Sequence, residues 1–377
     1  MKRRLLWIGD AAVATGFAKC THKTLEAFRD WDVHVLGLNY NGDPHAFPFP
    51  IYPPWIGGDP YGLRRTGELV TKIRPDVVLI QNDPWNIAPY MKEAGNAPCV
   101  ASMPVDGKNC KGAALNGLAL AIFWTKFGEL EAQCGGYTGA STVIPLGVDL
   151  HTYSPGDRLR ARVNLKLPEE ALNGFIVGNV NRNQPRKRID LTISYFAEWV
   201  HKYNIRDAYL FLHVAPTRDQ GWDVGQLMKY YRIPNRLILQ EPEVGLGIAE
   251  PILVETYRAF DVQISTTQGE GWGLCTMEGM ACGCPQIVPN WSALGEWVTD
   301  GAAIKVPCSE VAMTPNNINA IGGIPDRAAF IEALNKMYQE REVRETYATA
   351  GLDLVSEPRF RWETIGEQFR TCLEELV

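Results

Sequence analysis

Short apolar runs bounded by turn residues recur along this chain, and segments with apolar residues at helical spacing stand between them. That alternation constrains the fold more than any other feature. A strand, a helix and a second strand in succession return the chain to the same sheet in parallel. In the first half, strands are expected near 4–9, 32–38, 76–80, 98–102, 120–124 and 142–145, with helices near 16–29, 62–73, 86–94 and 126–134. In the second half, strands are expected near 175–180, 208–214, 236–240, 261–266, 285–288 and 303–306. Helices there are expected near 187–202, 223–231, 251–260, 274–282 and 326–339; in the first of these Ile189, Ile193, Phe196 and Val200 share one face. A chain of 377 residues exceeds one compact core, so the reading is α/β with two domains. The break falls around 146–172, after Ile144-Pro145-Leu146-Gly147-Val148-Asp149.

Composition excludes several classes. No apolar run approaches the ~20 residues of a membrane span, so no integral membrane segment is expected. The basic-then-apolar start at Lys2–Ile8 is closed too early by Gly9-Asp10 for a signal peptide. Nine cysteines without a Cys-x-x-Cys pair point to free thiols in a reducing, cytoplasmic setting. The net charge of −6, with Arg186-Lys187-Arg188 as the one dense basic cluster, argues against general nucleic-acid affinity but leaves room for a local face. The histidines are scattered without ligand spacing, and Asp30-Trp31-Asp32 reads as surface at a helix-to-strand junction, so no required metal is expected.

The chemistry concentrates at Gly-Glu-Gly-Trp-Gly-Leu-Cys-Thr-Met-Glu-Gly-Met-Ala-Cys-Gly-Cys-Pro, residues 269–285. A strand, a glycine turn and a helix in that order form a phosphate site at the carboxyl edge of a parallel sheet. Gly271 and Gly273 let a ligand approach the backbone, and amides around Gly273, Leu274 and Cys275 face an anion at the positive helix end. Glu270 in the turn and Glu278 inside the helix can each accept from hydroxyls. Phosphate between two polyols describes a nucleotide sugar. The alternative is a structural glycine turn with two solvated acids. A second signal, Gly178-Asn179-Val180-Asn181-Arg182-Asn183-Gln184-Pro185-Arg186-Lys187-Arg188, leaves a strand and enters a helix, with cations placed to balance a leaving pyrophosphate. Gly16 follows the first strand in a loop that leads into a helix, without the Gly-x-Gly-x-x-Gly fingerprint. Asp106 and Asp83 follow other strands. Residues 40–61, rich in proline and aromatics, form a stiff loop that either stacks on a ligand or packs on its own side chains.

Glu270, Glu278 and the glycine turn between them resemble the Glu-x7-Glu motif of retaining GT-B glycosyltransferases of family 4 (glycosyl transferases group 1), in a phage- or prokaryote-like variant. The Ile-Pro-x-Gly-Val-Asp segment resembles that family's interdomain connection, with Tyr153 where Phe is common. The resemblance implies two Rossmann-like domains facing across a cleft: an N-terminal acceptor domain of 1–148 plus 360–377, and a donor domain of 149–359. The terminal helix, with Trp362, Ile365, Phe369, Leu373 and Leu376 on one face, would cross back to the first domain. It implies metal-independent retaining transfer from a nucleotide sugar to a hydroxyl acceptor. No cofactor is implied beyond the co-substrate, a UDP- or GDP-sugar. Glu270, Lys187, Arg182 and Asp106 would carry catalysis, Asp106 standing where relatives place a His and Arg182 replacing the Arg found at Asn179. Glu278, Gly271, Trp272, Gly273, Leu274, Cys275 and Gly16 would bind the donor. A saccharide or lipid-linked saccharide acceptor is implied. The alternatives are a DNA glycosyltransferase acting on hydroxymethylated bases, and a binding protein that has lost activity.

Overall fold

The computed structural model describes residues 2–55, 58–215, 220–242, 247–315 and 317–377. The chain forms two units, Met1–Gly147 with Pro358–Val377, and Val148–Glu357.

The first unit runs β1 (Arg4–Asp10), α1 (Gly16–Leu25), β2 (Asp32–Leu38), β3 (Ile51–Tyr52), α2 (Leu63–Ile73), β4 (Val77–Gln81), α3 (Ile87–Ala94), β5 (Cys99–Met103), β6 (Leu120–Phe123), α4 (Lys126–Cys134) and β7 (Ser141–Val143). The seven strands lie in the order β3-β2-β1-β4-β5-β6-β7, all parallel. Strands β4 and β5 are buried along their whole length, as both faces of a parallel sheet are covered by helices. The order reverses between β1 and β4. There the buried Trp7 indole donates to Thr21 Oγ1 (3.1 Å), and the Thr21 hydroxyl bonds Gln81 Oε1 (2.7 Å).

The second unit runs α5 (Arg158–Asn164), α6 (Glu169–Leu172), β8 (Phe175–Val180), α7 (Ile189–Lys202), β9 (Ala208–His213), α8 (Val224–Tyr230), β10 (Leu237–Gln240), α9 (Glu250–Ala259), β11 (Val262–Ile264), α10 (Leu274–Ala281), β12 (Gln286–Pro289), α11 (Ser292–Trp297), β13 (Ile304–Val306), β14 (Cys308–Met313), β15 (Ile321–Pro325), α12 (Arg327–Gln339) and α13 (Arg341–Val355). Its six-stranded parallel sheet has the order β10-β9-β8-β11-β12-β13, and β14-β15 form a separate antiparallel hairpin. The core of this unit gathers Val177, Phe196, Trp199, Leu210, Ile264, Ile287 and Phe330 between sheet and helices. Order reverses at β8 and β11, so the loops that follow these strands flank the position where open parallel sheets take ligands.

The last helix, α14 (Trp362–Glu374), belongs to the first unit. Trp362, Ile365, Phe369 and Leu373 are buried, and Gly366 brings the helix close to Ala27: a Cβ there would meet the Ala27 Cβ at 2.8 Å. Arg370 clasps Asp30 through both terminal nitrogens, at 2.6 and 2.8 Å. Asp30 of the Asp-x-Asp spelling is therefore spent on a structural ion pair.

Several expectations shift. The helix expected over 16–29 tightens into a 3-10 turn at Glu26–Phe28. The helix expected from 187 begins at Ile189, because Pro185–Lys187 forms a 3-10 turn and Arg188 takes a left-handed backbone (φ 51°). The aromatic loop is pinned at β3, a two-residue edge strand pairing Ile51 with Val35, and Phe47 stacks on His22 with ring centroids 4.0 Å apart. Ile56 and Gly57 of that loop lie outside the described residues.

Candidate active site

The β11–α10 connection carries both carboxylates of the glycine motif. Ser265 to Gly273 form the loop, and Gly273 caps α10 with φ 94°, a conformation that favours glycine. A Cβ at Gly273 would lie 2.6 Å from Leu294 Cδ2, so the site excludes a side chain for a second reason. The first-turn amides of α10, at Gly273, Leu274 and Cys275, are the orphan donors of a helix N-terminus, and these three residues are partly exposed. The helix therefore offers donors and a positive dipole end to an anion.

Glu270 is 7% exposed yet heavily partnered. Lys187 Nζ donates to its Oε1 at 2.5 Å, and Arg186 Nη1 reaches Oε2 at 3.2 Å while also donating to Gly269 O at 3.0 Å. Burial alone would raise the Glu270 pKa, but Lys187 and Arg186 together hold it below the usual carboxylate value. Burial, with Arg186 as like-charged neighbour, lowers the Lys187 pKa, and Glu270 opposes that shift.

The two loops are laced by bonds to the carbonyls of Arg186 and Arg188, which is why these groups meet. Gln268 N donates to Arg186 O (2.8 Å), as does Thr267 Oγ1 (3.2 Å), and Thr266 Oγ1 donates to Arg188 O (2.8 Å). Ser292, at the start of α11, accepts from Glu270 N and donates to Glu270 O, both at 3.1 Å. The β14–β15 hairpin braces the same loop: Gln268 Nε2 donates to Thr314 Oγ1 (3.0 Å), and a Cβ on Gly322 would sit 2.3 Å from Gln268 O.

Glu278 lies one turn into α10, 5% exposed, and accepts from the Tyr257 hydroxyl at 2.7 Å. Burial pushes the Tyr257 pKa well above its ordinary value, and the Glu278 charge adds to that, so it remains a donor to this carboxylate. Cys275 is pushed up to about 11, first by burial and then by Glu278, so its thiol stays protonated at neutral pH.

Trp272 differs from expectation. Its indole is 3% exposed, stacked on Trp297 at 5.3 Å and 13°, while Trp297 Nε1 donates to Trp272 O at 2.7 Å. The residue wedges the loop against α11, with its ring covered by Trp297. Gly271 is buried beside it.

Arg186, not Arg182, is the guanidinium that joins Lys187 on Glu270. Arg182 is exposed in the stretch before the 3-10 turn. The 3-10 turn opened by Pro185 brings two consecutive basic residues to one carboxylate, and Arg186 stood in the basic cluster without being singled out. Asn179, which follows Gly178 on β8, is buried and donates to Thr192 Oγ1 at 2.8 Å.

In the first unit, Gly16 is the first residue of α1. Thr15 caps the helix, its Oγ1 accepting from Ala18 N (3.1 Å) and donating to Asp10 Oδ2 (2.7 Å), and Asn39 Nδ2 donates to Asp10 Oδ1 (3.0 Å). Asp106 follows β5 and is half-buried. Among the described residues, no group of His, Cys, Asp and Glu is arranged to hold a metal ion, and no helix is long and apolar enough to cross a membrane.

Comparisons with known proteins bear on the fold and the family. Residues 174–340 match the family model described as glycosyl transferases group 1. A D-inositol 3-phosphate glycosyltransferase of Acidothermus cellulolyticus is 30% identical over 188 residues, 47% of this chain and 39% of that protein. The protein of the same name from Kribbella flavida is 25% identical over 255 residues, 66% of this chain and 55% of its own. The chain thus spans well under two thirds of the curated relatives it matches. Sucrose-phosphate synthase from Thermosynechococcus elongatus superposes with a TM-score of 0.78 at 19% identity, over 100% of this chain and 99% of that one. Anabaena HepE, solved in complex with UDP and glucose, superposes with a TM-score of 0.74 at 17% identity, over 99% and 100%.

Proposed function

From a glycosyl transferases group 1 domain on a GT-B fold, we propose that this chain transfers a sugar from a nucleotide sugar to a hydroxyl acceptor, with retention of anomeric configuration and without a metal. The observation that carries this reading is the convergence of Lys187, Arg186 and Glu270 beside the open N-terminus of α10, with Glu278 one turn further on. The donor diphosphate lies against the Gly273–Cys275 amides and draws Lys187 and Arg186 from Glu270 as its charge grows. Glu270 then orients the donor sugar, and Glu278 takes the ribose hydroxyls. No side-chain nucleophile is required: the departing phosphate accepts the acceptor proton as the new glycosidic bond forms. Arg186 takes the leaving-group role expected of Arg182.

The second unit is the donor domain in this reading. The first supplies the acceptor side, with Asp106 and Gly16 as candidate substrate contacts. A uridine donor is favoured by the structural relatives, among them HepE solved with UDP-glucose. A saccharide or polyol acceptor fits the relatives' names better than DNA, and the net charge of −6 also weighs against DNA. The free cysteines suit a reducing compartment.

The test is a thermal-shift screen with UDP-, GDP- and ADP-sugars, followed by an assay of nucleotide release with and without acceptor. Donor at a hundred times its dissociation constant adds about 2.7 kcal/mol to the wild type. That gain should vanish in Lys187→Ala and Glu278→Ala. A screen in which no nucleotide sugar stabilises the protein would sink the reading. Release without any acceptor at the full rate would point to another reaction on the same fold.

A further inference from the structure

At the amino-terminal edge of the second sheet, the edge opposite Glu270, lies a concavity of about 370 Å³ lined by Arg158, Pro285, Arg341, Arg344, Glu345 and Ala348. Its volume falls within the ~300–1,000 Å³ typical of small-molecule sites. Pro285 immediately precedes β12, and Asp261, the partner of Arg158, immediately precedes β11.

The charges here do not balance. Arg158 Nη1 bonds Asp261 Oδ1 at 3.0 Å, but the other Asp261 oxygen is held by the buried Arg162 at 2.6 Å. Arg341 Nε bonds Glu345 Oε1 at 2.7 Å. Arg344 turns Nη1 onto the Met337 and Tyr338 carbonyls and lays its guanidinium over the Phe175 ring, 5.3 Å from the centroid. Among the described residues, Asp261 and Glu345 are the carboxylates bonded to these four guanidiniums. Two positive charges are left over in a concavity of a protein whose net charge is −6. Burial lowers the Arg344 pKa, and the Arg158 and Arg341 charges lower it further, against Asp261 and Glu345. Arg344 is thus fixed by carbonyls and an aromatic face rather than by a counter-ion. A guanidinium has five donors, and among the described residues the Nη atoms of Arg341 and the Nε and Nη2 of Arg158 have no acceptor.

We propose that this concavity is a second anion site, separate from the glycine motif, that binds the phosphate group of a small phosphorylated metabolite between Arg158, Arg341 and Arg344. Guanidinium forks suit phosphate because paired N–H groups match paired oxygens, and the concavity leaves room beyond the phosphate for an organic residue. α13 carries Arg341 and Arg344 in its first turn and packs on α10, the helix of Glu278, through Gly351, where a Cβ would lie 3.2 Å from Met280 Cγ.

The experiment is titration calorimetry of the full chain with inorganic phosphate and with glucose 6-phosphate at low ionic strength. Arg341→Gln and Arg344→Gln should each weaken binding at least tenfold, while Lys187→Ala leaves this site unchanged. Arg341 carries the decision if Arg344→Gln fails to fold, because the Arg341 side chain is 82% exposed. Equal affinity for the two probes assigns the site to free phosphate, and tighter ester binding assigns it to a phosphate ester. Either upholds it. Wild type that binds neither probe, or binding lost in Lys187→Ala and kept in Arg341→Gln, would overturn it. The donor screen above is read separately, so failure here leaves the transferase reading standing.

Discussion

Replacing Lys187 with alanine removes the closest contact of a carboxylate that is only 7% exposed. A buried ion pair broken from one side costs ~3–5 kcal/mol when the other charge is left uncompensated. Here Arg186 stays at 3.2 Å from the second Glu270 oxygen, and the Lys187 side chain itself is 12% exposed and no longer has to be desolvated. We therefore expect a smaller loss, about 1–3 kcal/mol in urea unfolding. The catalytic loss should be larger in proportion. Removing one donor that stabilises developing charge costs ~10²–10³ in kcat, and Lys187 would be such a donor to the leaving phosphate. The assay is nucleotide release under saturating donor, with Glu270→Gln and the double variant beside it. In the double variant the neutral amide no longer needs the ammonium, so its stability should recover relative to Lys187→Ala. Single-variant costs that add within ~0.3–0.5 kcal/mol would show that the groups are uncoupled. That outcome, or a kcat within threefold of wild type, would refute the reasoning.

Four further outcomes are expected. Because the Glu270 pKa is depressed below 4.5, its ion pair stabilises the fold above that value and is lost as pH falls through the folded pKa, so Lys187→Ala should show a shallower acid-side loss of stability. Gly273→Ala should abolish donor binding and lower the melting temperature, since its backbone (φ 94°) and the Leu294 contact at 2.6 Å both oppose a methyl. Tyr257→Phe leaves the buried Glu278 short of a donor and should cost about 1–3 kcal/mol of stability. The Cys275 thiol, pushed up to about 11, should resist iodoacetamide at pH 7.5, which mass spectrometry of the modified peptide can check.

The central strands were legible because parallel strands buried on both faces read as apolar runs, as in Val77–Gln81 and Cys99–Met103. Glu270 and Glu278 were legible because glycine spacing and a strand–turn–helix order are local properties. The β14–β15 hairpin was not. Four of the six residues of Cys308–Met313 are exposed, so no apolar alternation marks it, and Gly322 and Gly323 are required there by Gln268 and Trp291, which are distant in sequence. Arg186 escaped notice for a similar reason. Spacing from Gly178 suggested Arg182, whereas the 3-10 turn at Pro185–Lys187 decides which guanidinium reaches Glu270. Trp272 looked like part of a binding turn because nothing local reveals that Trp297 covers its ring.

The return of α14 to the first unit has a consequence for how the chain is made. Trp362, Ile365, Phe369 and Leu373 are synthesised after the second unit, yet they cover a face of α1, which is synthesised before it. The second unit, Val148–Glu357, emerges whole before that face is closed. Domains generally fold as units during synthesis, so the second unit can mature while the earlier-made half still waits with an open apolar seam. Translation stalled before Trp362 would thus yield a chain with an intact glycine motif and an unfinished first unit, a substrate for chaperones.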